Sequence, residues 1–333
     1  MAYFSNVIAL LTLNLGELMT WILALFALLA LPVRPDLPLE ELLPRYATGA
    51  SQFREVQGIQ THYRDQGQGL PIVLLHGMAS SLHTWEGWVT ALQPKYRVIS
   101  IDMPGWGLTG PDPQKRYRIE DQVAFLAAFL DSLGIEKCVL GGNSMGGWFS
   151  WNFALAHPQR VQALVLVDAA GVPAEASAAK SDSNVSKGKR PSYFKVTEQA
   201  WLQSYVRVAT PRILYKKMLQ QVYVHDSLVD RALVNRYYHL MRHEGNRQAF
   251  LDRAKQRGAG ESRLHELPQL QMPVLVLWGE SDPWIPLAHA SRFQQQMPQT
   301  VVVTFPALGH VPMEESPAVT VQPVQRFLEQ LQP

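Results

Sequence analysis

The chain has 333 residues, of which 47% are hydrophobic and 17% charged. That is the composition of a folded protein with a large core, and it excludes whole-chain disorder. The formal net charge of +2 falls far short of the basic excess that phosphate neutralisation needs, so no nucleic-acid partner is expected.

Cys138 is the single cysteine, which excludes an intramolecular disulfide and an all-cysteine metal site. The charge is unevenly spread. Residues 171–270 hold 17 Lys and Arg against 9 Asp and Glu, a net of +8, which leaves −6 for the rest. Such a basic segment is either a solvated helical face or a face toward anionic lipid or substrate.

Residues 7–31 form a strongly apolar stretch of 25 residues. As a helix it would span about 37 Å, against a bilayer core of about 30 Å. Glu17 interrupts it, and a charge at mid-span costs about 3 kcal/mol. The first reading is an uncleaved, membrane-anchor-like apolar helix over residues 1–33, with membrane association through residues 7–31. A cleaved secretory signal, implying a secreted or periplasmic protein, is weakened because no Lys or Arg precedes the run. A helix lying in the interface or on the protein itself is the third reading. Arg34 and Arg45 are the first positive residues and favour the cytoplasmic side for the residues that follow. Pro32, Pro35, Pro38 and Pro44 make residues 34–50 a stiff extended linker.

Beyond residue 50, β-type runs at 53–56, 61–64, 72–75, 98–101, 138–140, 164–167, 274–277 and 301–305 alternate with helical patterns at 84–92, 119–133, 145–157, 287–297 and 318–331. Most runs are apolar on both faces, which indicates a mostly parallel sheet with helices on both faces. The alternation breaks after residue 167. Residues 171–268 read as a mainly helical cap, with 181–191 as a loop, inserted into an α/β core of 51–170 and 269–333.

Gly142-Asn143-Ser144-Met145-Gly146 stands directly between a strand run and a helical run. A nucleophilic serine needs this strand–turn–helix setting, with Gly142 and Gly146 admitting the close approach of neighbouring backbone. The helix start would aim N–H groups and a positive dipole end at a developing negative oxygen. The competing reading is a glycine turn with an incidental serine. A serine hydroxyl needs a base. His310 follows the 301–305 strand, at the same sheet edge as Ser144; otherwise it is a loop residue capping the next helix. Asp282, past the 274–277 strand, is the candidate acid, and Asp168 at the end of the 164–167 strand is its rival. The chain order Ser144, Asp282, His310 favours Asp282. The candidate oxyanion-hole donors are the N–H groups of Met145 and Met78. His76 reads as a support for the Met78 loop and Asp102 as a loop brace. Trp85, Trp88, Trp106 and Trp148 line an acyl pocket or belong to the core.

Five segments, HGMASSLHTW (76–85), DMPGWGLTGP (102–111), GGNSMGG (141–147), WGESDPWIP (278–286) and GHVPMEESP (309–317), together resemble the α/β-hydrolase superfamily. The set is similar to its capped serine esterase, lipase and meta-cleavage-product hydrolase branch, and membrane-anchored monoacylglycerol lipases share the apolar N-terminus. The resemblance implies an eight-stranded α/β-hydrolase sheet, a triad of Ser144, Asp282 and His310, no metal and no organic cofactor. The expected reaction is cleavage of a small-molecule ester through an acyl-enzyme, and the apolar N-terminus and aromatic cap favour a lipophilic acyl or glyceride substrate. Haloalkane dehalogenases and epoxide hydrolases of this fold carry aspartate where Ser144 stands, which disfavours those chemistries. Carbon–carbon bond hydrolysis by the same triad and a non-catalytic binding role stay open.

Overall fold

Short Val-, Ile- and Leu-rich segments hydrogen-bond into one eight-stranded sheet, in which the strands 51–56, 59–66, 97–101, 71–75, 138–143, 161–167, 274–279 and 301–305 lie side by side in that order. The computed structural model describes residues 34–172, 207, 210–256 and 263–331. The expected apolar helix of residues 1–33, the 181–191 loop and part of the basic insert lie outside the described residues. In chain order the elements are α1 (Leu39–Tyr46), β1 (Ser51–Val56), β2 (Ile59–Gln66), β3 (Pro71–Leu75), α2 (Glu86–Leu92), β4 (Arg97–Ile101), α3 (Ile119–Ser132), β5 (Cys138–Asn143), α4 (Met145–Ala156), β6 (Val161–Val167), α5 (Arg212–Val222), α6 (Arg231–Met241), α7 (Asn246–Gln256), β7 (Val274–Gly279), α8 (Ala288–Gln296), β8 (Val301–Phe305), α9 (Pro312–Glu315) and α10 (Pro317–Glu329).

Each of the eight expected strand runs is a strand. β1 and β2 form a hairpin whose two-residue turn, Gln57-Gly58, has positive φ at both positions, the backbone that a tight right-twisted hairpin demands. β2 pairs antiparallel with β4, and every pairing from β4 to β8 is parallel. All residues of β5 and β7 are buried, as a sheet covered on both faces requires. The parallel strands end at one common edge. The segments that follow β3, β5, β6, β7 and β8 carry Met78, Ser144, Asp168, Asp282 and His310, so the topology gathers five distant sequence positions at one rim. Among the described residues, helices α5 to α7 lie in the insert between β6 and β7.

Residues 34–50 depart from the expected extended linker. They contain the helix α1 and form a strap bound to the insert. Leu42 is fully buried in a satellite cluster with Leu108 and Leu240, against which Leu37, Leu39, Leu43 and Tyr46 pack. Leu37 exchanges backbone hydrogen bonds with Arg242 and Glu244. Arg247 pairs with Asp36, and the Arg242 guanidinium donates to Pro35 O. The prolines do not prevent this. Pro38 occupies the extended N-cap position, and Pro44 lies in the second half of a helix of 8 residues, where the missing N–H removes a single intrahelical bond. Buried apolar contacts outweigh the local stiffness.

No helix among the described residues is long and apolar enough to cross a membrane. Truncating Leu42 to Ala is expected to cost about 3 kcal/mol through lost burial and a residual cavity. The check is a lower urea midpoint at unchanged slope, with faster proteolysis in residues 34–46.

Candidate active site

Ser144 has φ 54° and ψ −115°, a backbone region costing a non-glycine residue about 1–3 kcal/mol. Close packing enforces it. A Cβ at Gly142 would lie 2.3 Å from Gly146 C, and one at Gly146 would lie 2.2 Å from Leu75 O. Only bare glycines let α4 rest directly on β3 and β5. Ser144 N–H donates to Val167 O at 3.0 Å, and Ser144 O accepts from Trp148 N and Ala170 N. These backbone bonds fix the turn and leave the half-buried side chain at the rim.

His310 Nδ1 lies 2.7 Å from Asp282 Oδ2. The other Asp282 oxygen accepts the Trp284 and Ile285 N–H groups at 2.7 and 3.1 Å, so the carboxylate is held on both oxygens. The His310 backbone is also tied down. Its N–H donates to Val222 O in the insert, and its carbonyl accepts from Asn143 Nδ2 at 3.0 Å. Asn143 is the residue before Ser144, so one amide side chain spans the turn and the histidine loop. In the sequence Asn143 carries no signal of this role beyond its place between Gly142 and Ser144. The Trp284 ring, also unassigned, stands 5.1 Å from the imidazole. No hydrogen bond joins Ser144 Oγ to His310. In such sites this contact is often long until substrate binds.

The Met78 loop lies against the turn. A Cβ at Gly77 would sit 2.7 Å from Asn143 Oδ1 and 3.3 Å from Ser144 Cβ. His76 braces the loop: its Nδ1–H donates to Gly77 O at 2.7 Å, and its Nε2 accepts from Met103 N at 3.1 Å. Burial lowers the His76 pKa, which suits a neutral ring donating from one nitrogen and accepting at the other. Neither Met78 N–H nor Met145 N–H donates to a backbone carbonyl among the described residues, so both amides stay open.

Asp168 is not hydrogen-bonded to the imidazole. Its φ is 44°, its side chain is fully buried, and Oδ1 accepts Gly279 N–H at 3.0 Å. Burial, and after it the charge of Asp282, raise its pKa well above the usual carboxylate range. Asp168, Asp282 and His310 bring ligand-type atoms within 4.8 Å of one another. That is enough groups for a metal, but Asp282 and His310 Nδ1 are already engaged with each other and with backbone amides. Burial pushes the Cys138 thiol up to about 12, so it is no thiolate nucleophile at neutral pH. Trp85, Trp88 and Trp106 are core residues, and Trp148 is half-buried.

A second histidine–aspartate pair joins β2 to the residue that follows β4. Ser51 Oγ, His62 and Asp102 form a chain with spacings of 2.9 and 2.7 Å. It resembles a triad on contacts alone, yet Ser51 Oγ already accepts the Thr48 N–H, and its backbone has ordinary strand geometry. Asp102 accepts the Leu82 and Leu108 N–H groups as well. It is the brace the sequence suggested.

Residues 71–317 match the family described as alpha/beta hydrolase fold. The chain is 30% identical over 262 residues to a 2-hydroxy-6-oxo-2,4-heptadienoate hydrolase of Pseudomonas putida, covering 76% of this chain and 87% of that one. It is 31% identical over 283 residues to a dihydrolipoyllysine-residue acetyltransferase component of the acetoin cleaving system of Pseudomonas putida, covering 84% and 69%. The solved structure of a membrane phospholipase A, a bacterial virulence factor, superposes with a TM-score of 0.70 at 25% identity over 99% of both chains.

Burial opposes the Asp102 charge, but the histidines around it, His62 foremost, together hold the carboxyl well below its ordinary range. A depressed native pKa adds stability above the ordinary value of 3.8, and that stability disappears as pH falls below it. Asp102→Asn is therefore expected to lose about 3 kcal/mol at pH 7. Urea unfolding should show the gap between variant and wild type closing in acid.

Proposed function

The chain belongs to the alpha/beta hydrolase family, and we propose that within it the chain is a serine hydrolase of carboxylic esters. The observation that carries this reading is Ser144 on a strained strand-to-helix turn, beside a His310–Asp282 pair and two open amides.

Ser144 Oγ attacks the ester carbonyl carbon while His310 Nε2 takes its proton. Asp282 holds the Nδ1–H and stabilises the imidazolium. The carbonyl oxygen, now negative, is held by the Met78 and Met145 N–H groups. One such donor is worth about 3 kcal/mol of transition-state binding. The intermediate collapses, His310 protonates the departing alkoxide, and the acyl group stays on Ser144. Water then gives a proton to His310 and attacks the acyl carbon. Collapse of the second intermediate releases the acid and returns the proton to Ser144.

A lipophilic acyl or glyceride substrate is supported by the apolar stretch at 7–31 and by the likeness to a membrane phospholipase A. The same two observations support membrane association, with the flanking Arg34 and Arg45 favouring the cytoplasmic side. A second reading, hydrolysis of a carbon–carbon bond in a vinylogous diketone, is favoured by the 30% identical heptadienoate hydrolase and by the net +8 of residues 171–270, which suits a dianion.

Ser144→Ala is expected to lower turnover of short p-nitrophenyl esters by at least about 10⁴-fold and to abolish labelling by a fluorophosphonate probe, with the circular dichroism spectrum unchanged. Full esterase activity in this variant removes the mechanism. Fatty-acyl esters tested beside a coloured ring-fission substrate separate the two chemistries. A wild-type chain that fails to label leaves only a binding role.

A further inference from the structure

Two carboxyl groups share the interior at the ends of β6 and β7, and they are unequally supplied with donors. Asp282 receives the Trp284 and Ile285 N–H groups on one oxygen and His310 on the other. Asp168 receives one N–H, from Gly279, on Oδ1. Its Oδ2 is sealed from solvent, and no donor among the described residues reaches it. Glu315 also faces this centre, with its own oxygens held by the N–H groups of Gly309, Val224 and His225. His289 stands on the Asp282 side. The imidazole of His310 is already matched with Asp282.

A second ionised carboxylate here would place an unsolvated, unpartnered oxygen against a like charge. Burial without donors penalises that state, and carboxylates sharing a site do not both ionise. A proton on Asp168 resolves both problems, because it gives a donor to a carboxyl that lies within 4.8 Å of an Asp282 carboxylate oxygen. The backbone agrees with a short polar side chain at this position, since Asp and Asn tolerate a φ of 44° better than other residues.

We propose that Asp168 is a neutral carboxylic acid whose Oδ2–H donates to the Asp282 carboxylate, making Asp168 a positioning residue for the acid that orients His310. This rests on Asp282 and His310 being the acid and base of the proposed hydrolase. Burial and the charge of Asp282 both favour the protonated form of Asp168. The rival acid in the sequence is thus no spare base but a fixed donor acting through Asp282.

Infrared difference spectra of the full chain at pH 7 test the proton directly. The stretch of a buried protonated carboxyl is expected in wild type and in Ser144→Ala, and it is expected to vanish in Asp168→Asn. Its absence from wild type overturns the proposal. Kinetics on a short p-nitrophenyl ester test the positioning. Asp168→Ala is expected to lose at least about tenfold in kcat, and Asp168→Asn, whose amide offers N–H in place of O–H, is expected to recover most of that loss. The acid limb of the kcat/KM profile stays in place in Asp168→Asn if Asp168 is neutral. If Asp168 were ionised, removing its charge would move that limb down by about one pH unit or more, and this too overturns the proposal. Should Asp168→Ala fail to fold, the infrared band and the Asp168→Asn profile still decide. Activity surviving in Ser144→Ala would overturn the catalytic reading instead, with the band still measurable.

Discussion

A serine at φ 54° and ψ −115° stays there only because its surroundings leave it nowhere else to go. Gly142 meets the backbone of Gly146 and Gly147, and Gly146 meets the carbonyls of Leu75 and His76. Strand β5, helix α4 and the end of β3 are thereby locked at backbone-contact distance. That contact puts the Met78 loop beside the turn and the Met145 amide at the first turn of α4. Strain at one residue is maintained by the packing of three elements, which is how a folded protein holds a backbone geometry that the residue alone would leave.

The histidine side of the rim depends on the insert to an unexpected degree. His310 N–H and the Glu315 carboxylate both reach the 222–225 segment, and a Cβ at Gly309 would lie 2.2 Å from Val222 O. The neighbouring Glu314 accepts from Thr84 Oγ1, Tyr237 Oη and the Arg236 guanidinium, and Tyr237 in turn meets Ser80 at 3.2 Å. Two successive glutamates therefore join the insert to the loops bearing His310 and Met78. An insert that shares hydrogen bonds with the loops bearing His310 and Met78 is mechanically coupled to them.

The sequence reveals much of the fold because its signals are local. Runs such as Val98–Ile101 and Val301–Phe305 are β-branched and apolar, and each is a strand. The turn around Ser144 is legible because only glycine relieves the contacts there. What stays hidden is carried by long-range partners. Asn143 reads as a filler residue until the His310 carbonyl stands in front of it. Glu314 and Glu315 look like an acidic helix start, and nothing nearby in sequence names Tyr237 or Val224 as their partners. Asp168 and Asp282 both lie just past strands; chain order favours Asp282 as the acid, but how differently the two carboxyls are supplied with donors shows only in three dimensions. The 34–50 segment misleads for the same reason: its prolines speak of stiffness, while Leu42 is decided by Leu108 and Leu240.

The strap has a practical consequence for anyone shortening the chain. Its proline-rich composition invites a cut near residue 46 to obtain a freely dissolving enzyme. Such a cut would remove Asp36 from beneath Arg247 and the Tyr46 carbonyl from Arg64 and His83, and it would uncover Leu108 and Leu240. A shortened version that begins at Arg34 keeps those partners. Weak activity from one that begins at Ser51 would then report a damaged insert rather than the loss of any hold on lipid.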